Sequence, residues 1–73
     1  MARKLAKLVD AAGGQPFGWI AKARVRAIGA KANKRGGTEL MRLVAERAAV
    51  VSTTRAALRT IDSTWDGIGD WRG

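Results

Sequence analysis

The chain of 73 residues is long enough for one small domain, and it contains no cysteine and no histidine. That rules out disulfide staples and Cys/His zinc sites and removes the usual nucleophile–base pairs, so the composition points away from an enzyme, a metal centre or a bound cofactor. The net charge of +8 sits entirely in the first half: residues 1–37 hold nine cations and one acid, whereas residues 38–73 hold five of each. Such asymmetry predicts a negatively charged partner, namely an anionic membrane, a nucleic acid or an acidic protein.

The first segment, MARKLAKLVDAAGG, predicts a helix over residues 2–12. Leu5, Leu8 and Val9 recur at helical spacing, while Arg3, Lys4, Lys7 and Asp10 fall on the opposite side. Gly13 and Gly14 end it, because glycine accepts the left-handed conformation that closes a helix. An early pair of cations before apolar residues also suits a secretory leader, but Lys7 and Asp10 interrupt the apolar run. Nowhere does the sequence approach the ~20 apolar residues of a spanning helix.

The second segment, over residues 17–34, is the basic one. It reads FGWIAKARVRAIGAKANKR to Arg35 and carries Lys22, Arg24, Arg26, Lys31, Lys34 and Arg35 with no acid. Residues 21–27 alternate as a strand would, but alanine favours helix and is depleted in strands, so helix is the expectation. On a helix Lys22 and Arg26 share one side, and Arg24, Lys31 and Arg35 another. Gly29 weakens the middle by about 1 kcal/mol relative to alanine.

Gly36 and Gly37 break the chain again, and Thr38 and Glu39 suit the start of a third helix. This one is expected over residues 38–62 and should form the structural spine. Leu40, Leu43, Val44, Val51, Leu58, Ile61 and Trp65 occupy one arc and join Leu5, Leu8 and Val9 as the expected core. The run Val50-Val51-Ser52-Thr53-Thr54 costs helix propensity, which places a break near 52–54. A short helix or turn over 64–71 would close the chain. The fold class is all-α: a single domain over residues 1–73, built as a small compact bundle of three or four helices.

Among the candidate chemistries, the glycine pairs in AGGQPFG and RGGT lack the Lys-Ser/Thr of a phosphate-binding loop and read as helix breaks. Asp62, Asp66 and Asp70 would line one side of a continuous helix, where they would sooner neutralise Arg55 and Arg59 than hold a metal. The expected membrane- or anion-binding residues are Arg3, Lys4, Lys7, Lys22, Arg24, Arg26, Lys31, Lys34 and Arg35. Trp19 and Trp71 join them, since an indole beside cations suits a lipid interface, stacking on unpaired bases, or ordinary packing.

The start MARKLAKLVDAAGG, the cationic Trp-bearing second helix and the C-terminal DWRG resemble the leaderless bacteriocins of Gram-positive bacteria. That resemblance implies a cysteine-free, compact, saposin-like helical fold, export without a visible signal peptide, and killing of related bacteria by membrane permeabilisation. The chain differs from that group in carrying more acids and in favouring Ala and Arg over Lys and Ile. The leading expectation is thus a secreted cationic antimicrobial protein acting on anionic membranes. One alternative is a small basic nucleic-acid-binding protein, nucleoid-associated or phage-encoded and cytoplasmic, although no helix-turn-helix, RNP or basic-zipper pattern is present. Another is a basic subunit docking on an acidic protein. The oligomeric state is left open by the sequence.

Overall fold

The computed structural model, which describes residues 1–73, contains three helices and no strand. Helix α1 spans Ala2–Ala12 and buries Leu5, Ala6 and Val9. It stops at Gly13, which adopts the left-handed conformation at φ 58° and donates its N–H to the Asp10 carbonyl at 3.0 Å.

Helix α2 runs over Trp19–Val51 but is two arms rather than one rod. A straight helix of this length would extend about 50 Å, whereas the longest dimension of the molecule is 28 Å. The chain turns at Gly37, whose φ of 67° and ψ of −160° lie in a region that essentially only glycine enters. The first arm, 19–36, holds six of this helix's eight basic residues, and the second arm covers 38–51. Helix α2 ends at Val51 with Ser52 extended after it, and α3 begins only at Ala57 and ends at Trp65. The expected spine over 38–62 is therefore cut between 52 and 56, and the last helix occupies the stretch before 64–71 rather than that stretch itself. Residues after Trp65 coil tightly: Ile68 N–H bonds to the Trp65 carbonyl, Trp71 N–H to the Ile68 carbonyl, and Gly67 N–H back to the Trp71 carbonyl.

Alanine supplies five of the fifteen core residues. From α2 the core takes Val25, Ile28, Ala32, Met41, Val44, Ala45 and Ala48; from α3, Ala57, Ile61 and Trp65, with Ile68 and Trp71 from the tail. Alanine and glycine let helices approach closely around one large side chain. Trp65 is wholly buried, and its ring lies so near Gly29 that a Cβ there would come within 2.7 Å of the indole. The helix-weakening Gly29 is thus explained by the space Trp65 needs.

This packing corrects several core expectations. Leu43 is 63% exposed, Val51 41% and Leu58 40%. Ranking residues by hydrophobicity centred the apolar arc of the second arm roughly one residue away from the face that packs, because Ala45 and Ala48 counted for little. Leu8 and Leu40 lie half-buried at the margin of the core. Trp71, expected at a partner surface, is also corrected: it is buried and meets Trp65 edge-on, with ring centroids 5.3 Å apart and planes at 80°. Edge-to-face geometry brings the positive ring edge of one indole to the negative face of the other.

Candidate anion-binding face

At 3.6 residues per turn, burying Val25, Ile28, Gly29 and Ala32 leaves the first arm with two flanks. Lys22 and Arg26 lie on one, and Arg24, Lys31 and Arg35 on the other. The tertiary structure gives these flanks different neighbours.

One flank meets α3. The Arg26 guanidinium donates to the Thr64 carbonyl at 2.7 Å and the Asp66 carbonyl at 3.0 Å. Those carbonyls lie at the α3 C-terminus, where the last groups of a helix lack intrahelical partners and cations are favoured. Nearby, the Trp65 indole N–H donates to the Val25 carbonyl at 2.8 Å. Arg26 is half-buried and structurally committed, which removes it from the freely exposed cations.

The other flank meets α1 across a half-open groove of about 600 Å³. Lys4, Arg24 and Lys31 rim this groove, and Met1, Leu8 and Ile28 form its apolar side. No acid lines it. Beyond it, Arg3, Lys7, Lys22, Lys34 and Arg35 are exposed, so eight of the nine cations in residues 1–37 face solvent. Trp19 stands at the start of the first arm, 82% exposed, followed by Ile20 at 51%.

Asp10, the one acid of this half, is held by the 52–54 loop. Its carboxylate accepts hydrogen bonds from the Ser52 and Thr54 hydroxyls and from the Thr53 and Thr54 amides at 3.2 Å. The two hydroxyl bonds, then the amides, favour the charged form and hold its pKa down at about 2, against an opposing effect of burial. Sequence periodicity placed Asp10 on the solvent side of α1. The hydroxyl run Ser52-Thr53-Thr54 was legible as a helix break, but nothing local indicated that an acid 42 residues earlier caps it.

The second half has a different character. A cleft of about 330 Å³ between the second arm, α3 and the tail is lined by Arg42 and Arg72 alongside Glu46, Asp62 and Asp70, so its charges are mixed. Asp62, Asp66 and Asp70 do not align, because α3 ends before Asp66, and no cluster of three or more possible metal ligands forms. Asp66 instead accepts the Gly73 N–H at 2.9 Å. No helix is long and apolar enough to cross a membrane.

No protein-family model matches the chain, and no curated protein or solved structure is significantly similar to it. The functional reading therefore rests on its own residues.

Proposed function

We propose that this protein is a cationic, bacteriocin-like antimicrobial that binds anionic membrane surfaces and permeabilises them. The observation that carries the reading is the exposure of the cations on α1 and the first arm: eight of them face solvent, and Asp10, the one acid in residues 1–37, is occupied by the 52–54 loop. Each cation held near an anionic lipid surface contributes about 1 kcal/mol. Trp19 and Ile20 favour lipid over nucleic acid. An indole would serve either partner, whereas an exposed aliphatic side chain beside it gains free energy by entering hydrocarbon.

On the membrane, the basic face lands first and the Trp19–Ile20 corner inserts. The helices then exchange contacts within a shallow, alanine-rich core for contacts with lipid, a route open to a small domain whose core is marginal. The saposin-like arrangement belongs to this proposal as the closed, water-soluble form.

The test uses vesicles of phosphatidylglycerol and of phosphatidylcholine, with duplex DNA as competitor. Binding and dye release should occur with the anionic vesicles alone. Tryptophan emission should shift blue, and Trp19→Ala should abolish that shift because Trp65 and Trp71 are already buried. Changing Lys22, Lys34 and Arg35 together to Gln should weaken vesicle binding about 100-fold, at about 1 kcal/mol for each charge. Equal release from both vesicle types would overturn the reading, and so would tight DNA capture without release.

A further inference from the structure

The groove between α1 and the first arm has a composition that diffuse electrostatic attraction to a membrane does not require. Three cations from two different helices, Lys4, Arg24 and Lys31, surround an apolar wall of Met1, Leu8 and Ile28. A surface serving only to concentrate positive charge would leave no half-open apolar channel beneath it. Elsewhere in this basic half, Arg26 donates its hydrogen bonds to carbonyls of the fold, whereas Lys4, Arg24 and Lys31 donate none and keep their N–H groups available.

We infer that this groove is a binding site for one molecule of a single-chain anionic lipid, with the acidic head held by Lys4, Arg24 and Lys31 and the alkyl chain laid along Leu8 and Ile28. The volume of about 600 Å³ lies within the range typical of small-molecule sites, about 300–1,000 Å³. The helical stretch from residue 24 to residue 31 is about 10 Å long, which accommodates part of one chain lengthwise. The apolar wall is only one or two side chains wide on each helix, so it admits one chain rather than a pair. A lone inorganic anion would leave that wall wet, and a cationic or zwitterionic amphiphile would bring a positive group against three others. Charge and shape therefore select the same ligand. The inference rests on the membrane reading in taking anionic lipid as the partner, but it adds a stoichiometric site to a diffuse attraction.

The probe is dodecanoate below its micelle concentration, titrated into the intact protein and followed by methyl and amide NMR shifts. Acetate and dodecyltrimethylammonium serve as controls, and phosphatidylglycerol vesicles are measured in parallel. Dodecanoate should saturate at one equivalent, with the largest shifts at Leu8, Ala27 and Ile28. Acetate should bind at least tenfold more weakly, and the cationic amphiphile should leave those signals unmoved. Ala27 is exposed on the groove side of the arm, so Ala27→Glu keeps a good helix former while adding a carboxylate among the three cations. That variant should lose at least tenfold in dodecanoate affinity and only about fivefold in vesicle affinity, the equivalent of about 1 kcal/mol for one charge. The double variant Lys4→Gln/Lys31→Gln should show the same preference for losing dodecanoate.

Non-saturating shifts, shifts centred on Lys22, Lys34 and Arg35, or equal binding of dodecanoate and acetate would overturn the groove while vesicle binding left the membrane reading intact. Loss of vesicle binding as well would overturn both.

Discussion

Arg24 and Arg26 sit two residues apart on one helix, yet they do different work. Arg26 faces α3 and caps its last carbonyls; Arg24 faces α1 and rims an open groove. The pair teaches that a cation's role in a basic helix is set by the flank it occupies and by what packs there. The same division runs through the molecule. On the α3 side, Gly29, Trp65 and Arg26 lock the first arm into the core. On the α1 side, charge and apolar surface are left available.

The largest effect should come from removing the centrepiece of the locked side. Trp65→Ala deletes a wholly buried indole along with its bond to the Val25 carbonyl and its contact with Trp71. Such truncations cost about 3–5 kcal/mol, a large share of the 5–15 kcal/mol typical of a folded protein. Thermal unfolding followed by circular dichroism should show a Tm lowered by more than about 10 °C. A drop of only a few degrees would mean that the locked side is not the stabilising one.

The sharpest comparison is Arg26→Gln against Arg24→Gln. Losing two charge-assisted hydrogen bonds at a half-buried site should cost about 1–2 kcal/mol, whereas Arg24→Gln should change stability by no more than about 0.5 kcal/mol. Vesicle affinity should respond in the opposite order, falling about fivefold for Arg24→Gln. Similar melting curves for the two variants would erase the distinction between flanks. The contrast also bears on mutating the whole basic helix at once: including Arg26 in such a set would confound loss of folding with loss of binding.

The smallest effect concerns the tie between α1 and the 52–54 loop. The folded pKa of Asp10 lies below its ordinary value of 3.8, so the cap stabilises the fold above about pH 4, and this contribution is lost as pH falls through about 2. Asp10→Asn should lower the Tm at neutral pH and flatten its dependence between about pH 4 and pH 2. A variant as steep as the parent over that range would show that the cap does not hold α1 in place.

Much of this organisation was legible from local pattern. The glycine pairs marked breaks, the periodicity of Leu5 and Val9 marked the buried face of α1, and the wheel positions of Lys22, Arg24, Arg26 and Lys31 already divided the basic arm into two sides. Core membership beyond that was not legible in the second arm. Leu43 and Val51 outrank Ala45 and Ala48 in hydrophobicity, but the face that packs is the one carrying Met41, Val44, Ala45 and Ala48. Trp71 was misplaced for a related reason: its neighbours Asp70 and Arg72 are exposed, and only the coiled tail returns its ring to Trp65.

By itself the sequence determined the helical class, the chain breaks and the concentration of positive charge in the first half, because these follow from propensity, glycine geometry and composition. Only the tertiary structure decided which cations remain free, where Asp10 points and which apolar residues are covered. Each of those outcomes depends on a partner dozens of residues away. Arg26 meets Thr64 and Asp66, Asp10 meets Ser52 and Thr54, and Gly29 makes room for Trp65.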